Sequence, residues 1–345
     1  MIWVGDVELS HVLPVFRSKN ELSINERFLK TQNKNLILKN LQFGFRADWT
    51  PMMPPVGTNP VNFLVGPDAI KKARQRFKNE VEKGRMLGGV GWTRKRVENF
   101  LGKKGYVIPC GAVPKDGDKN GRIIHNYSYP LKSALSVNSA LTNTSTEYIT
   151  FKKRVALLAD VDWYIKADLK NGYRQLPVHP TDWNTQIYSL GQNEYYIDIA
   201  MPFGKANSAR VFCTWTSAWC KSFKFHFQKH FAFPIALAVY IDDFFGGPIR
   251  TASLSEDLKR AHTLFTVLII IGAVTSTLMN LKKCEEPARS KDILGMTFNS
   301  KEKACFLAEK KIKKYSKKLS EVRERGVESS KVLQKLSATL CMQPG

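Results

Sequence analysis

The chain is expected to fold as an α+β protein, and three observations carry that expectation. Val239-Tyr240-Ile241-Asp242-Asp243-Phe244-Phe245 sets two adjacent carboxylates among β-favouring Tyr, Ile and Phe residues, and Gly246-Gly247-Pro248 stops the run. This pattern predicts a hairpin that holds both acids at its bend. Val113 to Ile124 places a Gly- and Asp-rich tip between two apolar runs, the signature of a second hairpin. Stretches of helical spacing stand apart from these hairpins, and hairpins with segregated helices are the pattern of an antiparallel sheet packed against helices.

Asp68 to Arg85 repeats apolar groups at Ile70, Ala73, Phe77 and Val81 beneath a basic face. Asn207 to Phe223 is a second helix, with Asn207 and Ser208 as cap candidates. A third starts at a Ser253 cap with Glu256 completing a capping box, and is expected to end near Ile271, where Gly272 breaks it before a short strand. Residues 1–60 carry a mixed pattern with Pro51, Pro54, Pro55 and Pro60 around Trp49, and read as an extension of undefined role.

A chain of 345 residues with 43% hydrophobic content can bury a large core and form two or three subdomains. Its formal charge of +23 implies nucleic acid, an anionic surface or a very acidic partner. The excess is spread: Lys71 to Lys104 holds twelve basic side chains against three acidic ones, and Lys301 to Arg325 ten against four. Solvated helix faces are the plain alternative. Six cysteines without a CxxC pair suit a reducing compartment. The start Met1-Ile2-Trp3-Val4-Gly5-Asp6 shows no secretion signal, so an intracellular location, cytoplasmic or nuclear, is expected. Thr263 to Met279 is uncharged but too rich in Thr and Ser to span a bilayer, and no membrane partner is expected.

The chemistry centres on three acids. Asp168 ends the alternating strand Trp163-Tyr164-Ile165-Lys166-Ala167 and lies 74 residues before Asp242. Brought together, Asp168, Asp242 and Asp243 would repel one another unless divalent cations compensate them, and a pair of Mg²⁺ ions is the usual device for moving a phosphoryl group. Lys115 and Arg122, on opposite arms of the second hairpin, are candidates to reach one anion, Arg122 through its planar fork. Tyr173, five residues past Asp168, is either a ring beside a sugar or a core tyrosine. Cys213, Cys220, His226 and His230 have the residue types of a zinc set but not its spacing, and read as core cysteines and surface histidines.

The order of these stretches resembles the reverse transcriptases of retroelements, the class that includes LTR and DIRS-like retrotransposons. The matching residues are Val113-Pro114-Lys115 with Arg122-Ile123-Ile124, then Lys166-Ala167-Asp168-Leu169-Lys170-Asn171-Gly172-Tyr173. Met201-Pro202-Phe203-Gly204 with Ser208-Ala209, Tyr240-Ile241-Asp242-Asp243 and Leu294-Gly295-Met296-Thr297-Phe298 follow in the same order. The resemblance spans roughly residues 105–300, and residues 310–340 resemble the opening of a thumb. Two departures are Asn126, where relatives have Asp, and Gly204-Lys205-Ala206-Asn207-Ser208-Ala209-Arg210 in place of a Gly-Leu-x-x-Ala-Pro run.

The resemblance implies a right-hand polymerase fold. Residues 1–60 would be an extension and 61–140 the fingers, with 176–205 contributing. Residues 141–298 would be an antiparallel-sheet palm and 299–345 a partial thumb. It implies an RNA-directed DNA polymerase in which Asp168, Asp242 and Asp243 are catalytic and hold two Mg²⁺, with Mn²⁺ as a substitute. Lys115, Arg122, Tyr173, Phe203 and Gly204 would bind the nucleotide, and Gly295 and Met296 would form the primer grip. The implied partners are an RNA or DNA template, a nucleic-acid primer and dNTPs, with RNase H and recombinase or integrase domains of the same element as neighbours. Two further readings stay open: a catalytically silent nucleic-acid-binding remnant, and an RNA-dependent RNA polymerase, against which Tyr173 argues because RNA synthesis must admit a 2′-hydroxyl.

Overall fold

The computed structural model describes residues 14–50, 60–64, 66–115, 118–130, 135–142 and 145–325. In chain order, helices α1 (Lys19–Phe28), α2 (Lys34–Phe43) and α3 (Pro67–Glu82) lead to strand β1 (Met86–Val90) and helix α4 (Arg94–Leu101). Strands β2 (Cys110–Lys115) and β3 (Asp118–His125) follow, then α5 (Phe151–Leu158), β4 (Tyr164–Asp168), β5 (Ile187–Gly191), β6 (Glu194–Asp198) and the long α6 (Ser208–His230). Strands β7 (Ile235–Tyr240) and β8 (Asp243–Pro248) precede α7 (Leu254–Val274). The described chain ends with β9 (Glu285–Ala288), β10 (Ser290–Ile293), β11 (Met296–Asn299), β12 (Ala304–Leu307) and α8 (Glu309–Arg325). Every pairing between these strands is antiparallel, so the α+β class holds.

The chain divides into two compact units. The first comprises Met1–Tyr148, Leu169–His226 and Ile271–Leu278. It holds the sheet β1-β6-β5 and the hairpin β2-β3. Helix α3 forms where the spacing predicts it, with Pro67 in its first turn and Asp68 facing the positive end of its dipole. Its Phe77 packs into a core with Met86, Tyr106, Ile108, Cys110, Tyr127, Tyr188 and Tyr196. Arg174 is buried beside this core and donates to both oxygens of Asp198 at 2.7 Å and to Glu80 at 3.0 Å. Burial pushes the Asp198 carboxyl upward, and Arg174 opposes that push.

The N-terminal stretch is part of this unit. Ser18 and Glu21 form a reciprocal capping box at the start of α1. Buried Arg17 donates to the Ser276 carbonyl at 2.6 Å, and buried Asn25 to the Thr275 carbonyl at 3.3 Å. Phe28 stacks on His226, whose Nε2 lies 2.9 Å from the Phe28 carbonyl oxygen. Cys213 and Cys220 are buried core residues, while His230 is exposed.

The second unit comprises Ile149–Asp168, Phe227–Ile270 and Met279–Gly345. It holds the sheet β7-β8-β4-β9 and the sheet β10-β11-β12. Its core gathers Leu158, Val161, Tyr164, Ala236, Phe245, Ile293, Met296 and Phe298.

Three local expectations change. Gly272 does not end α7, which continues to Val274, and no named strand follows before β9. Gly272 is buried and lies inside the helix, where packing outweighs its weak intrinsic propensity. Ser253 Oγ accepts from the Glu256 amide at 3.3 Å, but the Glu256 carboxylate turns to Arg260 instead of closing the capping box. At the start of α6, Ser208 Oγ is buried with no hydrogen-bond partner. No helix among the described residues is long and apolar enough to cross a membrane.

Candidate active site

Strand β8 pairs with both β7 and β4, and the register sets Asp243 opposite Tyr240 on one side and opposite Asp168 on the other. Only Ile241 and Asp242 occupy the bend; Asp243 is the first residue of β8 rather than a bend residue. Ile241 has φ +59°, a conformation that a two-residue hairpin demands at its first central position and that a β-branched residue adopts at a cost.

Asp168 is buried, and its carboxylate is fully engaged. Lys283 Nζ donates to Oδ1 and Oδ2 at 3.2 and 3.1 Å, and Asn280 Nδ2 donates to Oδ1 at 3.3 Å. The Asn280 amide also donates to the Asp168 carbonyl at 2.7 Å. Neither Asn280 nor Lys283 was singled out in the sequence. The only signal was a polar run, Asn280-Leu281-Lys282-Lys283-Cys284, after an apolar helix.

Burial pushes the Asp242 carboxyl up, and the field of Asp168 adds to it. Asp243 is pushed up to about 6 by burial and by the neighbouring Asp242 and Asp168 charges, against the opposing pull of Lys166 and Lys283. Lys166 is itself committed to Glu285 at 3.1 Å. The three acids therefore share one electrostatic site with an unmet demand for positive charge, which suits a divalent cation. They do not form a ready cage: among the described residues no three His, Cys, Asp or Glu side chains gather closely enough to hold a metal ion. For a cation to bind all three, Asp168 must give up Lys283.

Asp243 titrates above its unfolded value, so its ionised form opposes folding and stability falls as pH rises from about 4 to about 6. The shift is worth roughly 3 kcal/mol at full strength and about 1–2 kcal/mol once partial solvent screening is allowed for. Metal-free Asp243→Asn is expected to be more stable than the parent by that amount at pH 7 and equal to it near pH 4. Denaturant melts at the two pH values check this, and a variant less stable at pH 7 would contradict it.

The nucleotide-pocket candidates lie in the first unit. Tyr173, in a short 3₁₀ turn from Gly172 to Gln175, has its ring 4.8 Å from that of Phe203 and 4.7 Å from that of Phe212. The Arg122 guanidinium lies 5.5 Å from the centre of the Phe203 ring, at cation–π distance. Phe203 is 38% exposed, a large apolar face left open. Gly204 has φ +93°, and a Cβ there would fall 2.8 Å from the His125 carbonyl oxygen, so the chain can turn there only as glycine. Arg122, Tyr173, Phe203 and Gly204 are thus contiguous. Lys115 ends β2 opposite Asp118, but its side chain lies outside the described residues.

The primer-grip candidates sit in the β10–β11 turn. Leu294 and Gly295 both have positive φ, +51° and +85°, as a two-residue hairpin requires. Met296 points into the core of the second unit, so only Gly295 and the turn itself are presented.

No family model matches the chain. An RNA-directed DNA polymerase homolog of Oenothera berteroana is 30% identical over 109 residues, which are 31% of this chain and 68% of that protein. The foamy viral protease-reverse transcriptase dRH in complex with double-stranded DNA is similar in fold, with a TM-score of 0.56 and 15% identity over 92% of this chain and 51% of that one. The foamy viral enzyme in complex with an RNA/DNA hybrid gives a TM-score of 0.53 at 15% identity, covering 95% of this chain and 43% of that one. This chain spans about half the length of those viral proteins or less. With the acids on adjacent strands, the antiparallel fold and the plant relative, the chain belongs to the family of RNA-directed DNA polymerases, the reverse transcriptases.

Proposed function

We propose that this chain is the polymerase part of a retrotransposon reverse transcriptase, which adds dNTPs to a primer 3′-hydroxyl on an RNA or DNA template. The observation that carries the reading is the register of Asp243 against Asp168, with Asp242 in the adjoining bend and the three carboxylates in one another's field. Asp168, Asp242 and Asp243 would hold Mg²⁺ or Mn²⁺. When bound, the ions supply charge neutralisation at the phosphates and a more acidic attacking hydroxyl. The chain's own contribution is positioning. Arg122 contacts the triphosphate, with Lys115 as its partner. Tyr173 and Phe203 line the nucleotide pocket, and Gly204 lets the chain turn beside it. The second unit would fall within the palm and partial thumb, while the first would hold the N-terminal extension and fingers together with residues 141–148, 169–226 and 271–278 of the 141–298 palm stretch. The foamy viral proteins were solved on double-stranded DNA and on an RNA/DNA hybrid, which supports a duplex as the bound partner.

A catalytically silent remnant is favoured by one observation, the Lys283 ammonium on both Asp168 oxygens. Primer extension with Mg²⁺ or Mn²⁺ on a defined template separates the two readings: incorporation of dNTPs supports the polymerase, and its absence in a folded, duplex-binding protein supports the remnant.

The charge of +23 gives a further test. Duplex binding is expected to weaken by roughly 10³-fold or more between about 50 and 200 mM salt, with little dependence on sequence, since cationic contacts to phosphates release counterions. Removing the basic residues after Lys310 should loosen binding and reduce the slope of log K against log salt. A flat slope would return these residues to mere solvated faces.

A further inference from the structure

We propose that Gln175 is a positioning residue for Asp168. Its amide staples the turn after Asp168 to the segment that carries Asn280 and Lys283. The inference rests on the polymerase reading, because it assigns Asp168 a functional carboxylate.

Gln175 is buried at the end of the Gly172–Gln175 turn, and each of its amide groups is used. Nε2 donates to the Lys170 carbonyl at 2.7 Å and to the Leu278 carbonyl at 2.9 Å, while Oε1 accepts from the Leu278 amide at 3.0 Å. The Lys170 amide donates to the same Leu278 carbonyl at 2.9 Å. These contacts lie within the first unit. Both strands of the staple then pass by single peptide bonds, Asp168-Leu169 and Leu278-Met279, into the second unit. There the Asn280 amide donates to the Asp168 carbonyl, and Asn280 and Lys283 engage its carboxylate. Where residue 278 sits therefore sets where Asn280 and Lys283 present their donors.

The far side of the segment is anchored too. Ser276 takes a left-handed φ of +53°, its carbonyl accepts from Arg17, and its hydroxyl donates to Glu21. The Trp219 indole donates to Thr275 Oγ1 at 2.8 Å. With Thr275 and Ser276 held this firmly, and the Thr277 amide on the Gly272 carbonyl, the loss of Gln175 loosens one defined stretch, residues 278–283.

Only a neutral primary amide offers two donors and an acceptor at this reach. Leucine keeps the bulk but removes the Gln175 contact from the Lys170 carbonyl and the Leu278 amide, and leaves the Leu278 carbonyl with the Lys170 amide alone. Glutamate keeps the acceptor and, when protonated, one donor.

The test compares the full-length parent with Gln175→Leu and Gln175→Glu. The Leu variant is expected to lose about 10- to 100-fold in kcat for single-nucleotide addition, with KM for dNTP and Kd for duplex within about twofold, as small displacements of a reacting group cost. Amide exchange at Asn280 and Lys170 should quicken at least about tenfold while the β5 and β6 amides stay protected, the signature of local opening. Mn²⁺ affinity read by electron paramagnetic resonance should fall in parallel, and the Glu variant should lie between Leu and parent in all three. An Asn280 amide as protected in the Leu variant as in the parent overturns the proposal, as does unchanged Mn²⁺ affinity with faster exchange. If the parent extends no primer, the polymerase reading falls, while exchange and Mn²⁺ affinity still decide the staple. Should the Leu variant not fold, the Glu variant carries the same comparison.

Discussion

Replacing Asp242 with Asn is expected to remove primer extension, by on the order of 10³-fold or more in kcat, with the fold intact. Asp242 sits in the two-residue bend between β7 and β8, where burial and the Asp168 charge push its carboxyl up against the pull of its own backbone amide and of Lys283. An amide there removes a charge that burial already disfavours, so the fold loses nothing. What disappears is an anionic ligand for a cation that stabilises transferred phosphate, an effect worth about 4 kcal/mol when it is lost. Asp168→Asn is expected to be as damaging to turnover but less neutral to structure, since it removes the negative charge and one of the two oxygens that accept from Lys283. Asp243→Asn should be the mildest of the three. Single-turnover incorporation with saturating dNTP measures all three, with circular dichroism and duplex binding as controls for folding. Near-parental turnover in Asp242→Asn would end the mechanism.

The α+β class was legible because its signals are local. Alternation brought the strand to an end at Asp168, whereas Gly246-Gly247-Pro248, expected to stop the run after Phe245, lies inside β8 and pairs with Leu237, Ala236 and Ile235 of β7. Register does not follow from that alternation, since Phe244 and Phe245 lie on opposite faces of β8 and both are buried. What surrounds the acids was not legible. The Asp168–Lys283 and Gln175–Leu278 contacts join residues more than 100 positions apart, and neither lysine nor glutamine announces a partner in its own neighbourhood. The N-terminal stretch was opaque for the same reason. The partners of Arg17 and Asn25 are backbone carbonyls at the far end of α7, which carry no sequence signature at all.

One helix end and one strand show packing acting beside local rules. Gly272 marked a helix stop by propensity, but the helix continues for two residues, to where Thr275 is gripped by Trp219 and the Ile271 carbonyl. Met296 stood in the primer-grip motif as a candidate contact, yet in a four-residue strand alternate side chains must face the core, and Met296 and Phe298 are the two that do.

Tyr173→Val is expected to raise the use of rNTPs relative to dNTPs by on the order of 10-fold or more. The ring is wedged between Phe203 and Phe212, with centroids under 5 Å away on both sides. The 3₁₀ turn that bears it is pinned by the buried ion pair of Arg174 with Asp198, and its last residue, Gln175, donates to the Lys170 carbonyl before it. A side chain so confined cannot swing aside for an added hydroxyl, and overlap with it must be met by strain. Discrimination then comes from exclusion, without any special attraction for the deoxy sugar. Removing the ring relieves the overlap for the rNTP and costs the dNTP only some packing. The ratio of kcat/KM values should move by roughly 1.4 kcal/mol or more in relative transition-state energy. Phe203, freed on one side, keeps its contact with Arg122, so dNTP binding is expected to change by less than the ratio does. Matched dNTP and rNTP incorporation on one template, in parent and variant, measures the effect. A parent that prefers rNTPs would overturn DNA synthesis as the activity. A ratio unmoved by Tyr173→Val would leave the activity standing and return Tyr173 to the aromatic core it packs against.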